Sequence, residues 1–358
     1  MNIAFRVDAS QQIGTGHFMR CFTLADALCQ RGAKILFVSR YLPEYLQDML
    51  RGKGYEFRML QSLANGNIDD LAHSHWLETT QRSDAEESFQ LLSDRIWEWL
   101  VVDHYALDFR WESILRKTVK NILVIDDIAD RQHDCDILLD QNFYADMASR
   151  YSGKVPDHCR LLLGPKYALL RDEFRQLHQQ VTPRTGRVKR IFVFLGGVDL
   201  DNYTGRTIDA LVDLDMNGLH VDVVIGAQHP YREQIEAACA EHRFYCHVQT
   251  NRMGELMAAA DLAIGAGGSA TWERCCLGLP TLTVSLADNQ TEIAKGLDLS
   301  GACLYVGSQQ TASVKVLKKA VFELLKDNNR LQAISTQAYS YVDGLGVDGV
   351  YKELQSEP

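Results

Sequence analysis

Residues 1–30, MNIAFRVDASQQIGTGHFMRCFTLADALCQ, decide the fold class of this chain. The apolar run at 3–7 predicts a short buried strand. A polar loop follows at 8–16, and the next residues carry an apolar face at helical spacing, formed by Met19, Phe22, Ala25 and Leu28. A strand, a glycine-containing loop and a helix are half of a βαβ unit, so this stretch indicates a parallel α/β sheet.

His17 is the first candidate for chemistry, because it directly follows Gly14-Thr15-Gly16 at the predicted helix N-terminus. The positive end of a helix disfavours a second proton on an imidazole placed there. A neutral imidazole can act as a general base, and the free N–H groups of the turn can hold a phosphate. The alternative is that His17 merely begins a helix, and the loop by itself leaves both interpretations open.

The same loop does not complete a dinucleotide-binding fingerprint. The motif G-x-G-x-x-G needs a third glycine where this chain has Met19. After the second predicted strand, Ser39-Arg40 stands where an acid would bind a ribose. The sequence therefore disfavours NAD, and no cofactor is expected.

Composition limits the class of protein. A length of 358 residues suggests about two domains, and 46% apolar with 23% charged residues is typical of a globular protein. A formal charge of −10 argues against nucleic acid or stable membrane association as partners. Nine cysteines without a C-x-x-C pair, no apolar run of membrane-spanning length and no secretory pattern predict a cytoplasmic location.

The alternation of predicted strands and helices restarts once along the chain. We expect an N-terminal domain at 1–175, a polar linker at 176–188 containing Pro183 and Gly186, and a second domain at 189–340. The tail at 341–358 can pack back on the first domain. Two successive halves of this kind predict two doubly wound α/β domains.

Several acids lie where parallel strands end or begin; they are Asp103, Asp126, Asp127, Asp134 and Asp136. Carboxylates at such positions can hold a metal, cap helices or position loops. Asp103 is ambiguous, since it can instead cap the helix that begins near Asp108. We interpret Asp134 and Asp136 as structural, so no metal site is expected.

A second glycine loop lies in the C-terminal half. Gly267, Gly268 and Ser269 follow a predicted strand and precede a helix, with Ser269 as its expected N-cap. The glycines allow close approach of a diphosphate, and Glu273 one turn later can accept both ribose hydroxyls. The alternative role for Glu273 is to stabilise the first helical turn by roughly 0.3–1 kcal/mol.

Two further turns are candidates for substrate binding. Gly196 and Gly197 follow the predicted strand at 190–195, and Asn289 and Gln290 open a later helix. Side-chain amides can bond sugar hydroxyls or acetamido groups. Asn289 can alternatively be a helix cap.

Nearly the whole chain resembles a known family. The similar segments are FRVDASQQIGTGHFMRCFTLADAL, VVDHYALD, VIDDIADRQHDCDILLDQN, GPKYALLRDEFR, FVFLGGVD and GAGGSATWERCCLGLPTLTVSLADNQ. They resemble the UDP-2,4-diacetamido-2,4,6-trideoxy-β-L-altropyranose hydrolases of pseudaminic acid biosynthesis, which are related to MurG-type glycosyltransferases. The resemblance implies the GT-B fold, with two Rossmann-like doubly wound domains and an interdomain cleft.

The resemblance also implies a reaction, in which the UDP-sugar is hydrolysed to UDP and free sugar by anomeric C–O cleavage with inversion and without a metal. It implies that His17 is the base, that Glu273 with its glycine loop binds UDP, and that the sugar lies near Tyr105, Asn289 and Gln290. Without the resemblance, the sequence favours Tyr105 as a partly buried core aromatic residue. The rivals are a MurG-like transferase that uses a UDP-sugar donor and a nucleotide-sugar-binding regulator without chemistry.

Overall fold

The computed structural model describes residues 1–10, 12–61, 68–214 and 218–356. The chain divides into two compact units. The N-terminal unit comprises Met1–Asn142, Asp146–Leu169 and the residues from Val347 onward. The C-terminal unit comprises Phe143–Ala145 and Leu170–Gly346.

The N-terminal unit is built on a seven-stranded sheet of order β3-β2-β1-β4-β5-β6-β7, and every neighbouring pair is parallel. Its elements are β1 (Asn2–Val7), α1 (Gly16–Gln30), β2 (Lys34–Ser39), α2 (Glu44–Lys53), β3 (Glu56–Met59), a short 3-10 turn (Ser74–Trp76), α3 (Gln81–Leu92), β4 (Trp97–Asp103), α4 (Phe109–Leu115), β5 (Val119–Ile125), β6 (Ile137–Asp140), β7 (Arg160–Leu163) and a second 3-10 turn (Pro165–Tyr167).

The central strand β1 is covered on both faces, as expected for the middle of a parallel sheet. Phe5 on one face and Ala4 on the other have no exposed surface. Helix α1 covers the Phe5 face, but it buries Phe18, Cys21 and Leu24, together with the predicted Ala25 and Leu28. Met19 and Phe22 were also predicted on this face; they lie at its margin and are half-buried.

The C-terminal unit is built on a six-stranded parallel sheet of order β10-β9-β8-β11-β12-β13. Its elements are α5 (Asp172–His178), β8 (Arg190–Phe194), α6 (Tyr203–Val212), β9 (His220–Ile225), α7 (Arg232–His242), β10 (Tyr245–Val248), α8 (Met253–Ala259), β11 (Leu262–Ala266), α9 (Ala270–Cys276), β12 (Thr281–Ser285), α10 (Asp288–Leu299), β13 (Leu304–Ser308), α11 (Val314–Leu325) and α12 (Asn328–Tyr341).

The last helix, α13 (Gly346–Gln355), lies almost entirely in the N-terminal unit. Its Val347, Val350 and Leu354 join the core that contains Phe5, and the Trp99 indole N–H donates to the Leu354 carbonyl at 3.2 Å. Helix α5 extends to His178, into the range that the sequence assigns to the linker.

Two Rossmann-like parallel sheets in one chain confirm the predicted α/β class. In both sheets the first strand lies in the middle and the strand order reverses beside it, which is the doubly wound arrangement. Within the described ranges, no helix has the length and apolar character needed to cross a membrane.

Candidate active site

His17 is the second residue of α1, just after the loop that leaves the carboxyl end of β1. Gly14 closes this loop by donating its N–H to the Ser10 carbonyl at 2.9 Å, and its φ of 75° explains the glycine. Gly16 begins the helix, and the N-cap Thr15 makes no side-chain capping bond. Only 11% of the His17 side chain is exposed, so the imidazole is largely buried.

Asp103 orients His17. The His17 Nδ1 lies 2.6 Å from Oδ1 of Asp103, whose side chain is fully buried at the end of β4. Asp103 does not cap α4, because Asp108 accepts the Arg110 N–H there. Burial alone would raise the pKa of Asp103, but attraction to Arg20 and His17 outweighs burial and holds that pKa below its usual range.

Arg20 contacts the same carboxylate, and the sequence analysis did not single it out. It donates from Nε to Oδ2 of Asp103 at 2.6 Å and from Nη2 to Oδ1 at 2.7 Å. Its third nitrogen, Nη1, donates to Oδ2 of Asp127 at 2.8 Å. The spacing of three residues from His17 on one helix was the available signal.

Tyr105 lies next to His17, as the family resemblance implies. The two rings meet edge to face with centroids 4.6 Å apart. The Tyr105 hydroxyl donates to Asp127, which also accepts the Asn142 side-chain amide at 3.0 Å. Burial and the Asp127 carboxylate raise the pKa of Tyr105, so its hydroxyl stays protonated and acts as a donor.

The segment before α3 supplies aromatic neighbours that the sequence analysis did not single out. Trp76 stacks on Tyr105 with centroids 5.3 Å apart, and His73 contacts both rings at 4.8 and 5.2 Å. His73 is half-buried, and burial lowers its pKa. His73 therefore belongs to the aromatic cluster around Tyr105, whereas His75 is exposed.

Most of the acids considered as metal ligands are paired with arginines. Arg116 binds Asp134 at 3.1 Å and Asp136 at 2.6 Å, and Arg131 contacts Asp126 at 2.9 Å. In the part of the chain that the structure describes, no group of three or more His, Cys, Asp or Glu side chains is arranged to hold a metal ion.

The C-terminal unit brings the second glycine loop together with Gln290. A Cβ on Gly267 would lie 3.2 Å from Cβ of Gln290, and one on Gly268 would lie 3.7 Å from its Nε2. Gln290 accepts the Leu286 N–H at 3.0 Å, which fixes its side chain. Ser269 stands at the N-cap position of α9, as predicted, but its side chain is exposed and makes no capping hydrogen bond.

Glu273 lies one turn into α9, and 19% of its side chain is exposed. Arg171, which the sequence analysis did not identify, approaches its Oε1 at 3.6 Å and also binds Glu173 at 2.9 Å. Burial raises the pKa of Glu273, and the opposing attraction of Arg171 is weaker.

The remaining predicted residues lie at the carboxyl ends of neighbouring strands. Phe194 of β8 pairs with Gly265 of β11, so the turns carrying Gly196–Gly197 and Gly267–Gly268 leave the same edge of the sheet. Asn289 is exposed in the first turn of α10. The N-cap of α10 is Ala287, so Asn289 is not a cap.

Comparisons with known proteins agree with this architecture. Residues 191–344 match the glycosyltransferase family 28 C-terminal domain. The chain is 31% identical over 203 residues to the UDP-2,4-diacetamido-2,4,6-trideoxy-β-L-altropyranose hydrolase of Campylobacter jejuni, covering 56% of this chain and 62% of that protein. It is 28% identical over 214 residues to the spore coat polysaccharide biosynthesis protein SpsG of Bacillus subtilis, covering 59% of this chain and 62% of SpsG.

A solved structure extends the likeness to the whole chain. MurG from Acinetobacter baumannii superposes with a TM-score of 0.64 at 16% identity, over 99% of each chain. The chain thus spans less than two thirds of the length of the curated relatives, but it shares the architecture of MurG throughout. These comparisons confirm the resemblance to the hydrolase family and, with the two parallel sheets, a two-domain GT-B fold.

Proposed function

We propose that this protein is a hydrolase of UDP-2,4-diacetamido-2,4,6-trideoxy-β-L-altropyranose that releases UDP and the free sugar for pseudaminic acid biosynthesis. The observation that carries the proposal is the pair formed by His17 Nδ1 and the buried Asp103 carboxylate, 2.6 Å apart. The similarity to the Campylobacter jejuni hydrolase supports the choice of substrate.

His17 is the general base in this proposal. Because the ionised Asp103 accepts a hydrogen bond from the Nδ1–H group, the free lone pair of the imidazole is on Nε2. Nε2 takes a proton from water as the water oxygen bonds to the anomeric carbon. The bond from that carbon to the UDP oxygen breaks, and UDP leaves with the electron pair. Attack from the side opposite UDP inverts the anomeric centre.

UDP recognition is assigned to the C-terminal unit. Backbone N–H groups near Gly267, Gly268 and Ser269 approach the diphosphate, and Glu273 accepts the ribose hydroxyls. This assignment is supported by the half-buried Glu273 carboxyl beside the glycine loop. Arg171 at 3.6 Å limits where that carboxyl can point.

Contacts to the remainder of the substrate are assigned to the other predicted residues. Tyr105, Asn289 and Gln290 orient the sugar, and the Gly14–Gly16 and Gly196–Gly197 turns let the backbone come close to the ligand. The reaction is proposed to need no metal. Support comes from the ion pairs of Asp126 with Arg131 and of Asp134 and Asp136 with Arg116.

Incubation of the purified protein with the UDP-sugar in ¹⁸O-water tests this function. We expect UDP release without an acceptor, with the label in the free sugar and none in UDP. A transferase would release UDP only when an acceptor is added, and a regulator would bind the UDP-sugar without turnover. Label in UDP, or UMP and a sugar phosphate as products, would contradict anomeric cleavage.

A further inference from the structure

Arg20 lies one helical turn after His17. It contacts Asp103, which binds His17, and Asp127, which binds Tyr105. Its side chain is only 8% exposed, so the guanidinium is buried and not solvated as a surface arginine would be. All three guanidinium nitrogens donate to carboxylates, two to Asp103 and one to Asp127. A planar guanidinium can bind one carboxylate with two nitrogens and a second carboxylate with the third.

The first contact determines where the His17 proton lies. His17 Nδ1 and Arg20 Nη2 approach the same oxygen, Oδ1 of Asp103, at 2.6 and 2.7 Å, and they are 3.1 Å from each other. Arginine nitrogens only donate, and the ionised carboxylate only accepts. Nδ1 must therefore carry a proton to make its short contact with Asp103, and this leaves Nε2 as the acceptor.

The second contact determines the position of Tyr105. Arg20 Nη1 binds Oδ2 of Asp127 at 2.8 Å, and Oδ1 of the same carboxylate accepts the Tyr105 hydroxyl. The ring of Tyr105 then lies edge to face against His17. One guanidinium thus connects the carboxylate that orients the imidazole with the carboxylate that holds its aromatic neighbour.

We propose that Arg20 is the positioning residue of this site, which binds Asp103 and Asp127 with one shared positive charge and so keeps His17 in the tautomer whose Nε2 accepts a proton. This inference rests on the proposed role of His17 as a base. In the described part of the chain, the titratable and charged groups around His17 and its two carboxylates include Arg20 and Cys21 on α1, Asp103 and Tyr105 near the end of β4, Asp127 after β5, Arg131 over the Tyr105 ring and His73 in the segment before α3.

Loss of the guanidinium has a defined electrostatic consequence. Without Arg20, two buried carboxylates lack their shared cation, and Asp103 is still in contact with the imidazole. A nearby negative charge favours the protonated imidazole, which cannot act as a base. Lysine can restore the charge, but a single ammonium does not reproduce the two-nitrogen contact with Asp103.

The pH dependence of kcat/KM tests this role. In Arg20→Met, we expect the acid limb to move up by about one pH unit or more, with the loss of rate greatest below pH 7. In Arg20→Lys, the limb should return towards that of the parent. The matched control is Arg116→Met, because Arg116 also joins two carboxylates, Asp134 and Asp136, but has no contact with His17. Its profile should be unchanged.

A second measurement does not depend on turnover. The imidazole signals of His17, followed by NMR against pH, should titrate at higher pH in Arg20→Met than in the parent protein, and UDP affinity measured by calorimetry should be unchanged. Arg20→Gln, which keeps a donor without the charge, serves in the same way if Arg20→Met does not fold.

Two outcomes would overturn the inference. One is a rate that falls equally at every pH with an unmoved acid limb, and the other is an unmoved His17 titration. If the parent protein hydrolyses no UDP-sugar, the proposed function fails, while the NMR titration still decides the role of Arg20.

Discussion

Asp103 lies beside His17 because Val7, the last residue of β1, pairs with Asp103, the last residue of β4. The carboxyl ends of these neighbouring parallel strands meet at one edge of the sheet. The loop after β1 turns directly into α1, and His17 is the second residue of that helix. His17 and Asp103 are 86 positions apart in sequence, but this strand pairing brings them within a hydrogen bond of 2.6 Å.

Replacing the base should strongly reduce turnover. His17→Leu and His17→Asn are each expected to lower kcat by about 10²–10⁴-fold, because general-base assistance is lost. UDP affinity should stay within a few-fold, since UDP is assigned to the C-terminal unit. Steady-state kinetics and calorimetry measure the two effects, and near-normal turnover in His17→Leu would remove His17 from the mechanism.

Replacing the orienting acid should reduce the rate without unfolding the protein. Asp103→Asn keeps the shape of the side chain but removes the charge that holds the Nδ1 proton, so we expect kcat to fall by about 10²–10⁴-fold. Asp134→Asn is the control, because Asp134 also binds an arginine but lies away from His17. Equal rates for the two variants would contradict the His17–Asp103 pair.

The ribose contact predicts a change in binding. Glu273→Ala should weaken UDP by about tenfold or more, because hydrogen bonds to a charged acceptor are lost. Glu292→Ala, at an exposed position on α10, should leave the affinity unchanged. Titration of UDP by calorimetry compares them, and an unaltered affinity in Glu273→Ala would exclude Glu273 from the ribose.

Metal removal should have little effect. Exhaustive EDTA treatment is expected to leave the rate within about two-fold, since backbone N–H groups stabilise the leaving diphosphate. A complete loss that Mg²⁺ or Mn²⁺ restores would contradict this expectation and would direct attention to Asp126, Asp127, Asp134 and Asp136.

A buried histidine makes stability depend on pH. Burial alone would lower the pKa of His133, but Glu112 at 2.8 Å and Asp126 at 3.9 Å outweigh it and raise the pKa to about 9. The unfolded value is about 6.5. The folded state therefore binds this proton more tightly, and its contribution is fully present below about pH 6.5 and is lost as pH rises through about 9.

His133→Gln tests this dependence. The variant should lose up to about 3 kcal/mol of unfolding free energy at pH 6, and the deficit should shrink by pH 10. Asp140, whose pKa burial raises to about 8, also reduces stability as pH rises, so each pH is compared with the parent protein. Urea unfolding gives the difference. His158→Gln, at an exposed imidazole, should show no such trend, and a constant deficit in His133→Gln would contradict the proposed linkage.

The sequence by itself determined the elements and the class of fold. Apolar runs bounded by glycine loops marked the central strands β1, β8, β11 and β12. Alternation of strands with helical periodicity predicted two parallel sheets, because both signals depend only on neighbours along the chain. His17 and Glu273 could be named for the same reason, since each stands next to a glycine turn at the start of a helix.

Only the tertiary structure decided which side chains meet. The sequence did not predict the partners of Asp103, Asp127 and Arg171. Strand order and long loops bring these residues next to His17, Arg20 and Glu273, which are far away in sequence. The spacing of Arg20 from His17 hinted at a shared helix face, but the carboxylates that Arg20 joins come from two other strand ends, β4 and β5. Likewise, only folding places Trp76 and His73 against Tyr105. Local sequence patterns predict the strands and helices. The pairing of charges in this site is decided by the spatial order of those strands in the sheet, which places the ends of β1, β4 and β5 side by side.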